Sequence, residues 1–185
     1  MENNITTQNP EEQFDLIQRK AKALSASTVI PKDYQNNIPN TLVALEMAHR
    51  IGASPLMVMQ NLHIIHGRPS WSSTFVIAAL NSCGRFSAIR FEDGEGSCRA
   101  VAIEKETGAV LNGPTVTIDM AKKEGWFQKT GSKWQTMPEL MLKYRAASFF
   151  GRLYAPEIMM GMHTEFEIHD IQPAKTNNIA QLIKE

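Results

Sequence analysis

The chain has 185 residues, and its 19 lysines and arginines are balanced by 19 aspartates and glutamates, so its formal charge is zero. That length holds one domain with a sizeable core, and a second full domain would be cramped. The longest strictly apolar run, Phe75 to Leu80, is far too short to cross a bilayer, and the polar, acidic stretch from Met1 to Gln13 is not a secretory signal. The expectation is a protein without a membrane partner that stays in the cytoplasm. Cys83 and Cys98 fit neither a disulfide framework nor a zinc site, and read as ordinary thiols in a reducing compartment.

In chain order, Glu11 to Leu24 reads as a first helix, and Ser25 to Pro39, with two prolines and the Asn36-Asn37 pair, as a connector. Asn40 then caps a helix with Leu42, Leu45, Ala48 and His49 on its apolar side and Gly52 at its end. Pro55 opens a short helical turn. Leu62 to Ile65 is a strand that enters the turn His66-Gly67-Arg68-Pro69, and a second extended piece passes Trp71. Ser72 caps a helix from Ser73 to Ser82, which Gly84 terminates. Phe86 to Phe91 and Cys98 to Ile103 form two strands around the acidic turn Glu92 to Gly96, with further strands near Val110 and Val116. Thr117 or Asp119 caps a short helix closed by Gly125.

The best-specified element begins at Thr136-Met-Pro-Glu139, which has the form of a capping box with proline in the first turn, and Pro156 ends it after Tyr154. At 100° per residue, Leu140, Tyr144, Ala147, Gly151 and Tyr154 share one apolar seam, and Leu142, Ala146, Phe149 and Leu153 lie opposite. Between them run Met141, Arg145, Ser148 and Arg152. The fold class is therefore α+β: a small antiparallel sheet, built as a hairpin plus a three-stranded meander, packed against a long central helix and flanking helices. Residues 1–39 are an N-terminal helix and connector, 40–165 the core domain, and 166–185 a short acidic, flexible tail.

Zero net charge argues against a nucleic-acid binder, but it hides an asymmetry. From Met120 to Ala155, seven basic residues stand against two acidic ones; from Pro156 to Glu185, two basic residues stand against five acidic ones. A basic block of this kind is either an anion-binding surface or a solvated lysine-rich face. Arg145 and Arg152, on one stripe of a rigid helix, suit bidentate contacts with phosphates, or else pair with carboxylates. Lys143 lies on another side of that helix. Ahead of it, Trp126-Phe-Gln-Lys129-Thr-Gly-Ser-Lys133-Trp134 interleaves aromatics with lysines. That pattern fits a strand-binding loop in which bases stack on rings, and equally a loop whose tryptophans anchor the core.

No GxxxxGK[ST] loop is present, so no ATP-driven motor is indicated and no cofactor is expected. His63 and His66 point to opposite faces of a strand. His163 and His169 sit among Glu165, Glu167 and Asp170 without metal-ligand spacing, so no metal site is assigned.

The order of these features resembles the RecT/Redβ family of phage single-strand annealing proteins. The resemblance runs from about Asn40 to Met162 and is carried by Leu45-Glu-Met-Ala-His-Arg-Ile-Gly-Ala-Ser-Pro55, Ser97-Cys-Arg-Ala-Val-Ala-Ile-Glu-Lys105 and Thr115-Val-Thr-Ile-Asp-Met-Ala-Lys-Lys-Glu-Gly125. The most specific pieces are Ser132-Lys-Trp-Gln-Thr-Met-Pro138, Met141-Leu-Lys-Tyr-Arg145 and Gly151-Arg152-Leu153. The resemblance implies a non-enzymatic protein of the bacterial host cytoplasm that binds single-stranded DNA without ATP. It also implies assembly into rings or helical filaments and annealing of complementary strands along a basic groove. Lys143, Arg145 and Arg152 would occupy the family's basic positions on the long helix. Lys129 and Lys133 would add positive field, Trp134 would brace the loop, and Arg68 is a weaker transfer. Met137 stands where Redβ has a histidine. Only 20 residues follow Glu165, whereas Redβ uses a longer region for partners such as an exonuclease or a host single-strand-binding protein. Two other classes compete: a metal-dependent nuclease built on the acidic C-terminal cluster, and a protein-binding module that inhibits a host factor.

Overall fold

A computed structural model describes residues 9–171, so the first eight residues and the tail from residue 172 onward lie outside the described residues. The fold is α+β, with two small, mostly antiparallel sheets among helices. The chain forms two compact units, Met1–Arg68 and Pro69–Glu185. Among the described residues, no helix is long and apolar enough to cross a membrane.

In the first unit, helices α1 (Pro10–Ser25), α2 (Ile38–Ile51) and α3 (Pro55–Asn61) precede strand β1 (Leu62–Ile65). Asn37, not Asn40, caps α2: its side-chain oxygen accepts from the Asn40 N–H at 3.1 Å. Pro39 is inside the helix because the first turn needs no N–H from it. Gly52 closes α2 in the left-handed region, as its lack of Cβ allows. The expected connector is part of the core rather than a boundary. Ile30 and Tyr34 are buried, and the Tyr34 hydroxyl donates to the Leu62 carbonyl. Burial pushes the Tyr34 phenol well above its usual range, with the Asp33 charge adding to the rise. The division between the two compact units falls after Arg68.

β2 (Arg68–Trp71) carries the chain into the second unit, followed by α4 (Ser73–Ser82). The Ser72 hydroxyl accepts from the Phe75 N–H, as its position before an apolar helix predicts. Strands β3 (Arg90–Gly94), β4 (Ser97–Ile103) and β5 (Val110–Asn112) pair antiparallel in that order, and the short β6 (Val116–Thr117) pairs with the start of β4. The first strand of this meander starts later than its sequence suggests. Phe86 makes only an isolated bridge to Glu104, and its ring meets Phe150 edge-on with centroids 5.6 Å apart. In β4, Cys98, Ala100 and Ala102 are buried at every second position. Their small size lets a helix lie close on the sheet.

After α5 (Ile118–Lys123), capped by Thr117, come the single turn α6 (Lys133–Thr136) and the long α7 (Pro138–Tyr154). The expected capping box does not form. Ser132 starts α6 by accepting from the Trp134 N–H, and Thr136 ends it. Met137 is extended, as a residue before proline prefers, and α7 begins at Pro138 without a side-chain cap. The chain continues through α8 (Pro156–Met159) and β7 (His163–Thr164) to α9 (Glu165–Ile171). β7 lies parallel to β2, with Ser70 opposite His163 and Trp71 opposite Thr164. That return was not foreseen from two residues of unremarkable composition.

Candidate nucleic-acid interface

α7 is enclosed on more than two sides. β4 and α4 pack against it through apolar side chains, including Leu142, Ala146, Ala147 and Phe150, all buried. Leu140 and Leu153, assigned to the two apolar faces, are exposed instead. On the stripe of Met141, Arg145, Ser148 and Arg152, which left phosphates and carboxylates as alternative partners, the arginines are paired with carboxylates from α9.

Arg145 is 4% exposed and donates to Asp170 Oδ2, with Glu167 Oε1 3.9 Å from its Nε. Two turns further along the stripe, Arg152 donates to Glu167 Oε2 at 2.5 Å and lies 3.0 Å from His163 Nδ1. Glu167 also accepts from the Thr164 N–H at 2.9 Å and from its hydroxyl. Asp170 accepts from the Trp134 indole N–H at 2.9 Å. The Glu165 carboxylate accepts from the Ser73 N–H and hydroxyl at the start of α4. The cluster read as an acidic tail is thus a staple, and its three carboxylates serve separate anchors. Among the described residues, no group of three His, Cys, Asp or Glu side chains is placed to hold a metal ion.

Burial and charge compete at these groups. Burial lowers the Arg145 pKa, against the opposing pull of Glu167 and Asp170. For Glu167, burial pushes upward, but the hydrogen bond and charge of Arg152, the charge of Arg145 and the Thr164 N–H together bring it below the ordinary carboxylate range. For Asp170, burial prevails over the Trp134 hydrogen bond and the nearby charges, and its pKa is raised. Two carboxylates three residues apart are thereby pushed in opposite directions.

The aromatic loop is internal. Trp134 is fully buried and Trp126 nearly so, with ring centroids 5.6 Å apart. The Arg145 guanidinium lies over the Trp126 ring at 3.8 Å, a cation–π contact that shields the charge further. Trp134 therefore cannot stack a base in this arrangement; it is a core anchor and an orienter of Asp170. Arg145, equally, has no open face for a phosphate while α9 is in place. Sequence spacing put Arg145 and Arg152 on one stripe but carried no sign that a segment some twenty residues later would close over them.

The remaining basic candidates are scattered. Lys143 pairs with Asp93 of β3 at 3.1 Å and is partly exposed. Lys129 donates to the main-chain carbonyls of His169 and Asp170 at the end of α9, where a cation complements the helix dipole. Lys133 is exposed at the start of α6. Arg68 is exposed at the start of β2 and belongs to the first unit. Lys122, which had not been singled out, lies over the Phe127 ring at 5.4 Å on the exposed side of α5. Residues missed by sequence reasoning are Glu167, Asp170, Ser73 and Trp126 as arginine or helix partners. Their only available signal was that a run of closely spaced acids follows a basic helix.

Compared with known proteins, the chain matches no protein-family model and no curated sequence.

Proposed function

We propose that the protein binds single-stranded DNA without ATP and anneals complementary strands, with the Arg145–Arg152 stripe of α7 as its phosphate clamp. The observation that carries this reading is the content of that stripe. Two arginines seven residues apart on one rigid helix are matched to oxygen anions along its length, and α9 is the anion that fills them. Seven residues correspond to about 10 Å of helix axis, long enough to follow a strand past one nucleotide. A buried ion network of this kind contributes little net stability compared with apolar packing, which is compatible with a binding role for its arginines. The resemblance to RecT/Redβ proteins supports the same reading, and it extends to self-assembly and to a partner exonuclease or host single-strand-binding protein. Clamping backbone phosphates leaves base edges free to test a second strand, which is what annealing requires.

The test uses two complementary labelled oligonucleotides mixed with the protein in the absence of ATP. Accelerated pairing with both strands intact is expected. Folded protein that leaves the pairing rate unchanged would refute the reading, and shortened strands would replace it with a nuclease.

A further inference from the structure

We infer that β7 and α9 form a displaceable anionic latch over the α7 clamp, in which Glu167 and Asp170 occupy the places that strand phosphates take in the DNA complex. This inference rests on the function proposed above and adds a closed state to it.

The latch is held by the short parallel pairing of β7 with β2, by Lys129 on the His169 and Asp170 carbonyls, and by side-chain polar contacts. Glu165 ties it to the start of α4, Glu167 to both arginines, and Asp170 to Arg145 and Trp134. Its apolar anchoring is small: Ile168 is the buried aliphatic side chain of α9, and Phe166 is half-buried with its ring stacked on Tyr144 at 5.7 Å. The opposite side of α7 is packed on β4 and α4, so α7 keeps its place when α9 leaves.

Replacing carboxylates by phosphates at the arginines exchanges one set of charge-assisted hydrogen bonds for another. Neither arginine is left bare during the exchange, which is the condition for a buried charge to change partners. The closed state also leaves a group unsatisfied. The Ser148 hydroxyl, on the same stripe between the arginines, is buried and makes no hydrogen bond. An arriving phosphate would offer it an acceptor. A pivot precedes the latch: Met160 and Gly161 are both in the left-handed region, with φ of 50° and 71°. Met160 is the C-cap of α8, and the chain turns there into β7.

Hydrogen exchange on the full chain, with and without a saturating poly-deoxythymidine oligonucleotide, tests the latch. Amides of residues 163–171 are expected to exchange faster in the complex while those of α7 stay protected. Glu165→Ala removes the acceptor of both Ser73 hydrogen bonds and leaves Glu167 and Asp170 in place on the arginines. It is expected to raise the open fraction and tighten oligonucleotide binding by about threefold or more. DNA binding with residues 163–171 still protected would overturn the latch and leave the annealing function standing. So would an affinity unchanged in Glu165→Ala. No oligonucleotide binding by either protein would overturn both readings together.

Discussion

The two sides of α7 are held in opposite ways. Toward β4 and α4 the helix presents Leu142, Ala146, Ala147 and Phe150, and the fit depends on small partners such as Ala100 and on Gly151, where an added Cβ would meet the Met159 sulfur at 2.9 Å. Toward α9 it presents Arg145, Ser148 and Arg152, and the fit depends on Glu167 and Asp170. Apolar burial is non-directional and stabilises in proportion to area. Buried ion pairs return little beyond their own desolvation cost, yet breaking one is severe. The first side is therefore held by buried area, and the second by paired charge whose one-sided removal leaves a charge stranded.

Removing one charge from the ionic side has the largest expected effect. Arg145→Ala leaves Asp170 buried without its cation, and should cost about 3–5 kcal/mol in urea unfolding. Arg145→Ala combined with Asp170→Ala should cost less than the sum of the two single changes, because the second removal takes away a charge already stranded. Strict additivity would show that the two residues do not act as a pair. On the apolar side, Leu142→Ala should cost about 2–4 kcal/mol through lost burial and the cavity left behind. That loss should be insensitive to salt, and a marked salt dependence would erase the contrast between the two faces.

Acid sharpens the comparison further. Glu167 has a depressed pKa in the folded state, so its contribution is present above the ordinary glutamate pKa and is lost as pH falls through the folded value. Asp170 has a raised pKa and works in the opposite sense: its contribution is present below the ordinary aspartate pKa and is lost as pH rises through the folded value. The loss of the Glu167 contribution on acidification should lower the melting temperature, and Glu167→Gln should flatten that decline. An unchanged decline in that variant would place the acid sensitivity elsewhere.

Much of the fold was legible because its determinants are local. Ser72 and Thr117 cap the helices they precede, Gly52 ends α2, and the alternation in β4 follows from Cys98, Ala100 and Ala102 facing one way. The failures are equally physical. The Thr136 capping box lost to a neighbouring cap at Ser132, since one hydroxyl had already begun a helical turn there. The arginine stripe was correctly placed, but its burial was invisible, because the partners are distant in sequence and helical periodicity says nothing of what covers a face. Trp134 illustrates the same limit. An aromatic among lysines reads alike whether it faces solvent or lies beneath α9, and only the tertiary structure separates the two.

Lys143 has the smallest expected effect on stability, and for that reason it isolates the binding reading. Its bridge to Asp93 joins two partly exposed side chains, a class of pair worth less than about 1 kcal/mol. Lys143→Ala should therefore unfold almost as the unmodified protein does. If the strand that runs along the arginine stripe also passes Lys143, the variant should bind oligonucleotide more weakly at every sequence, and the slope of log affinity against log salt should fall by about one. A full salt slope in Lys143→Ala would confine the strand to the arginine side of α7, where binding depends on the departure of α9. A reduced slope would extend the DNA path across to β3, where Asp93 must first release the lysine just as Glu167 and Asp170 must release the arginines.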